Sequence, residues 1–166
     1  MGTNENLADA FAGESQANRR YLAFSQKADS DGFPQVAKLF RAAADAETIH
    51  AHAHLRAMDG VKDTLANLKE AVEGERYEFQ EMYPGFLAAA KEEGNKRAAI
   101  GFGHALEAEE IHHNLYKQAL EAVEAGKDLA SMSIFLCPVC GNLELGEAPD
   151  KCPICNAPKA KFVEAA

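Results

Sequence analysis

Two short stretches carry a carboxylate and an imidazole three residues apart: Glu47-Thr48-Ile49-His50 and Glu109-Glu110-Ile111-His112. On a helix this spacing sets both side chains on one face, one turn apart, where they can share a metal ion. One such pair is weak evidence. The two copies, however, superimpose when 62 is added to the residue number (109 − 47), and the same shift carries Tyr21 onto Tyr83 and Gly32 onto Gly94. The sequence therefore reads as a duplicated helical hairpin built around metal-ligating residue types.

Further carboxylates complete the pattern. Glu14 lies among the apolar positions of the first hairpin, where a desolvated charge needs a partner unless it sits at the stripe's edge and reaches water. The second hairpin offers Glu75 and Glu78, one turn apart. Glu14 plus 62 is Arg76, so matching Glu14 to Glu75 requires one extra residue before Tyr83. A helix absorbs such a residue as a wide, π-type turn, and Pro84, which lacks an N–H, sits near the disruption.

Each hairpin thus supplies Glu from one helix and Glu-x-x-His from the other, the ligand set of a carboxylate-bridged dimetal site in a four-helix bundle. Oxygen and nitrogen ligands suit iron or manganese. The competing reading, a bundle with polar surface stripes, does not explain why the same types recur at matched offsets. The repeat also selects Glu109 with His112 over Glu110 with His113. His52, His54, His104 and His113 are read as solvated or supporting groups.

Near the end, Cys137-Pro-Val-Cys140-Gly and Cys152-Pro-Ile-Cys155-Asn form two metal knuckles of a tetrathiolate site. Gly141 and Asn156 follow the second cysteine of each pair, where a left-handed turn residue is expected. Four thiolates accept structural zinc or a single redox-active iron. Iron is favoured because a dimetal centre that changes oxidation state needs a source of single electrons.

The elements that must position these groups follow from apolar periodicity. A first helix is expected from Asn4, as cap, to about Ser30, and Asp31-Gly32-Phe33-Pro34 turns into a second that runs to about Asp59. Gly60 breaks the pattern, Thr64 is placed to cap a third helix, and Glu93-Gly94-Asn95 leads into a fourth that Gly126 stops. A linker from Lys127 to Phe135 precedes the cysteine module. The expected domains are 1–130 and 131–166.

The 166 residues can bury one core and carry a small appendage. A formal net charge of -9 argues against nucleic-acid binding. No apolar run suits a membrane span and no leader pattern suggests export, so the cytoplasm is expected, and there paired C-x-x-C motifs favour metal over disulfides.

The sequence resembles the rubrerythrins. The matching stretches are Ala10-Phe-Ala-Gly-Glu-Ser-Gln-Ala17, Glu47-Thr-Ile-His50, Gly74-Glu-Arg-Tyr-Glu78 with Glu81-Met-Tyr-Pro84, Glu109-Glu-Ile-His112, and the paired knuckles. The resemblance implies a mainly α protein, a ferritin-like four-helix diiron bundle followed by a rubredoxin-like Fe(Cys)4 domain, with zinc as the alternative metal. It implies a peroxidase that reduces hydrogen peroxide to water and protects against oxidative stress, supplied by an electron-donor protein such as a rubredoxin or a reductase. The implied diiron ligands are Glu14, Glu47, His50, Glu75, Glu78, Glu109 and His112, with Glu47 and Glu109 bridging and Glu78 exchanging with His50 on reduction. Tyr21 and Tyr83 match tyrosines that line the site and hydrogen-bond to ligand carboxylates, with core packing the alternative for both. Cys137, Cys140, Cys152 and Cys155 match the tetrathiolate ligands. A ferritin-like ferroxidase or iron-handling protein, and a non-enzymatic metal scaffold with structural zinc, are the competing functions.

Two departures stand out. Asn142-Leu143-Glu144 follows the first knuckle where relatives commonly have an aromatic residue, which puts the module's packing and reduction potential in question. Only four residues separate Asp59 from Thr64, an extended reach of about 17 Å, against roughly 38 Å for a helix of about 25 residues. That shortfall favours a homodimer in which the first hairpin packs against the second hairpin of a partner chain. Unwinding of helix ends is the alternative.

Overall fold

The computed structural model describes residues 2–165. Helices α1 (Thr3–Ser30) and α2 (Pro34–Ala57) form an antiparallel hairpin, and α3 (Thr64–Tyr77), a π-helical turn (Glu78–Met82) and α4 (Tyr83–Glu92) run on continuously against α5 (Lys96–Glu124). Strands β1 (Ile134–Leu136), β2 (Leu143–Leu145) and β3 (Val163–Glu164) make an antiparallel sheet of order β2-β1-β3, with a 3-10 turn at Lys159–Lys161. The chain divides into two compact units, Met1–Lys62 and Asp63–Ala166. No helix among the described residues is long and apolar enough to cross a membrane.

In the first unit the buried positions of α2 are Ala37, Ala44 and Ala51, a seven-residue repeat of small side chains that lets α1 approach closely. Asn18, buried on α1, donates from Nδ2 to the Ala44 carbonyl (2.7 Å) and to Thr48 Oγ1 (2.8 Å). Gly32 (φ +83) ends α1, and Pro34 opens α2 at its first position. The larger apolar residues of α2 are less covered: Leu39 is 69 % and Ile49 67 % exposed.

Two helix starts differ from the sequence expectation. Helix α1 begins at Thr3, ahead of Asn4, and the Gly2 N–H donates to Glu5 (2.7 Å). Helix α3 is capped by Asp63, whose carboxylate accepts from the Ala66 N–H (2.8 Å), because Thr64 already has helical geometry. Asn95 does cap α5, accepting from the Ala98 N–H (3.1 Å), and Gly126 (φ +69) stops it. After α2 the chain folds back: Met58 N–H donates to the His54 carbonyl, Asp59 takes the left-handed conformation, and Gly60 N–H returns to Leu55. A Cβ on Gly60 would stand 3.0 Å from the Leu55 carbonyl oxygen and closer still to its side chain, so any larger residue would make Leu55 shift.

The expected wide turn is present between Glu75 and Tyr83, and Arg76 clamps it. Its guanidinium bonds Glu73 behind, Gln80 four residues ahead and Glu81 five ahead (3.0 Å for Arg76 Nη1 to Glu81). A reach of five residues along one face fits the lower winding of a π turn.

The cysteine module has a minute core of Cys137, Cys152 and Ala157, with Ile154 and Phe162 against it. Its two knuckles repeat one pattern. Cys137 N–H donates to Asn142 and Gly141 N–H to Cys137, just as Cys152 N–H donates to Ala157 and Asn156 N–H to Cys152. Gly141 (φ +86) and Asn156 (φ +60) hold the expected left-handed conformations.

Candidate metal centres

Helix α1 presents Glu14 to the Glu47/His50 face of α2, and His50 Nδ1 lies 3.1 Å from Glu47 Oε2 and 3.9 Å from Glu14 Oε1. In the second unit α3 presents Glu75 to the Glu109/His112 face of α5, and His112 Nδ1 lies 2.7 Å from Glu109 and 4.0 Å from Glu75. Each trio offers ligand atoms within 4.8 Å of one another. Glu78, at the start of the wide turn, is close enough to Glu109 to feel its charge. Glu110 is exposed and outside the cluster.

The second trio is electrostatically strained. Burial, and then the neighbouring Glu109 carboxylate, push Glu75 up to about 7. Burial and the same carboxylate raise Glu78. His112 is raised by its bond to Glu109, and that bond in turn holds Glu109 low. Two carboxylates and an imidazole with ligand atoms within 4.8 Å of one another, and Glu78 near enough to add its charge, make a candidate cation site.

The aromatic residues beside each trio repeat as well. Tyr21, Phe24 and Phe40 cluster in the first unit, and Tyr83, Phe86 and Phe102, each 62 residues on, cluster in the second. Burial and the charges of Glu78, Glu109 and Glu75 all raise the Tyr83 phenol, placing it beside the carboxylates. The contacts of Tyr21 are with Phe24 and Phe40.

The sequence reading left His113 as a supporting group without a partner. Its Nδ1–H donates to the Val72 carbonyl (2.9 Å) and its ring packs on Phe79, tying α5 to α3 just before Glu75. Glu-x-x-His spacing could not reveal this bond, because its acceptor is main chain.

In the module, Cys137 Sγ lies 3.6 Å from Cys155 Sγ and Cys140 Sγ 3.4 Å from Cys152 Sγ, and all four lie within 4.8 Å of one another. A tetrahedral metal with bonds of about 2.3 Å needs sulfurs separated by roughly 3.8 Å, so the set fits a tetrathiolate ion. Burial opposes the Cys137 thiolate, but the Val139 and Cys140 N–H groups and its neighbours hold it down to about 7. Burial pushes the Cys140 thiol up, opposed by the Asn142 N–H directed at it.

One bond joins the two centres of this unit. His112 Nε2 lies 2.9 Å from the Gly141 carbonyl oxygen. A carbonyl only accepts, so Nε2 carries the proton, and Nδ1 is the nitrogen free to face the carboxylates.

A carboxylate-histidine cluster on helical hairpins, joined to a tetrathiolate module, defines a non-haem dimetal protein with a second, single-metal site. Residues 5–120 match the family model described as Rubrerythrin, and residues 135–163 that described as Rubrerythrin, rubredoxin-like domain. The chain belongs to the rubrerythrin family. It is 40 % identical to nigerythrin of Nitratidesulfovibrio vulgaris over 96 % of this chain and 85 % of that one. It is 36 % identical to Rubrerythrin-2 of Clostridium acetobutylicum over 96 % of this chain and 95 % of that one. Solved structures of nigerythrin in a mixed-valent and a fully reduced, all-ferrous state superimpose with TM-scores of 0.58 and 0.59. They share 36 % and 35 % of residues and cover 99 % of this chain and 88 % of theirs. The fold is accordingly a ferritin-like helical domain with a small rubredoxin-like sheet domain. The Glu/His cluster is its diiron site and the four cysteines its rubredoxin-like site.

Proposed function

We propose that the protein is a peroxidase that reduces hydrogen peroxide to water, taking electrons from a separate donor protein through the tetrathiolate iron. The observation that carries this reading is the bond from His112 to Gly141, which attaches a side chain of the carboxylate cluster to a peptide of the cysteine knuckle. Storage or structural zinc gives no reason for that attachment. When bound, the diiron pair supplies two electrons to one peroxide, which with two protons gives two waters.

In this reading Glu14, Glu47, His50, Glu75, Glu78, Glu109 and His112 would hold the irons. Tyr21 and Tyr83 orient ligand carboxylates, and Cys137, Cys140, Cys152 and Cys155 hold the single iron. His112 is kept in one tautomer by the Gly141 carbonyl, which leaves Nδ1 as the nitrogen that would ligate the metal. The working assembly is a homodimer with exchanged hairpins. The connection Met58–Asp63 folds back on α2 as far as Gly60, leaving little chain to cross the length of a bundle.

The test is turnover with a reduced donor. Two donor electrons consumed per peroxide, with no dioxygen released, support peroxidase action. Iron oxidation with growth of a mineral core, in a cage far larger than a dimer, would show the ferroxidase function instead.

A further inference from the structure

Asn142 has no exposed surface, and its side-chain Oδ1 is buried with no hydrogen-bond partner among the described residues. A buried acceptor left unmade costs stability, so packing alone does not account for an amide at this position. Its Nδ2 donates to Glu144 Oε1 (2.9 Å), and Glu144 is fixed in β2 opposite Phe135 of β1. The main chain of Asn142 is engaged on the cysteine site: its carbonyl accepts from the Cys137 N–H (2.8 Å), and its N–H is directed at the Cys140 thiol.

The peptide that joins Gly141 to Asn142 therefore faces both centres. Its carbonyl accepts from His112 Nε2, and its N–H points to a cysteine sulfur. Rotating that one plane would weaken both bonds together. We infer that the Asn142–Glu144 pair is a positioning device that holds the Gly141–Asn142 peptide in the one orientation serving His112 and Cys140 at once. The restraint runs from the sheet to the Glu144 carboxylate, to the Asn142 amide, and so to the shared peptide.

The inference rests on His112 and the cysteines being metal ligands, which metal content of the same samples checks separately. The experiment uses the full-length protein loaded with zinc at all sites, so that the imidazole protons can be followed by 15N-histidine NMR. The His112 Nε2–H signal is assigned by its absence in His112→Asn. Glu144→Ala removes the acceptor for Asn142 and should speed exchange of that proton with water about tenfold. Glu144→Gln keeps a carbonyl acceptor without the charge and should leave exchange at the wild-type rate. In the iron-loaded protein the Ala variant should also shift the tetrathiolate reduction equilibrium relative to Gln, because only Ala releases the N–H aimed at Cys140. Unchanged exchange in both variants would overturn the inference. Equal acceleration in both would also overturn it, since charge rather than the hydrogen bond would then be responsible.

Discussion

Glu75 and Glu109 face each other between α3 and α5 and share a proton when no metal is present, since Glu75 is held up at about 7 by burial and by its neighbour. His112 is raised too. Both groups keep protons in the folded chain that the unfolded chain releases. Between about pH 5 and 8 the metal-free fold therefore binds more protons than the unfolded state, and its stability falls as pH rises. Glu109, held low, contributes fully throughout that window and is lost only at more acid pH. Metal must displace these protons, so the loaded protein gains stability over the same range. Thermal unfolding with and without metal should show opposite slopes. Glu47→Ala or Glu109→Ala should abolish the diiron site and leave the tetrathiolate spectrum intact, because the two sites share no ligands. His112→Ala should lose iron, whereas His113→Ala should retain it and cost about 1 kcal/mol for the lost bond to Val72. Spacing made His112 legible in sequence. The partner of His113 was not legible, since a backbone acceptor on another helix leaves no trace in residue types.

Along α3 and α4 the register slip between Glu14 and Arg76 marked an inserted residue, and the π-helical turn Glu78–Met82 is where the helix takes it up. Deleting Gln80 should restore a regular α-helix and rotate Glu75 and Glu78 by about 100° relative to Tyr83. Helix content by circular dichroism should hardly change, while iron should fall from about three per chain to about one, the diiron pair being lost. Retention of all three would mean that the turn does not aim the carboxylates. The clamp by Arg76 escaped the sequence reading because residues five apart meet only once the wide turn exists. The cap of α3 escaped it for a different reason: Asp63 and Thr64 are both good caps, and one residue of helical geometry decides between them. Of the aromatic trios, Tyr21 and Tyr83 were legible from the repeat, whereas Phe24, Phe40, Phe86 and Phe102 carried no chemistry to draw attention.

At the scale of the whole molecule, the proposed exchange of hairpins would take Glu14, Glu47 and His50 from one chain and Glu75, Glu78, Glu109 and His112 from the other. A chain lacking Glu14 and Glu47, unfolded and refolded with one lacking Glu75 and Glu109, should regain up to one intact diiron site per heterodimer. Heterodimers that form without regaining a site would show that each chain builds its own. The central claim, that peroxide draws electrons from the tetrathiolate iron by way of the carboxylate cluster, is tested most directly by rapid mixing. Fully reduced protein should recover the visible band of the ferric tetrathiolate much faster with peroxide than with dioxygen, and Glu109→Ala should lose that advantage. Comparable rates with both oxidants, or an undiminished response to peroxide in the variant, would contradict the account.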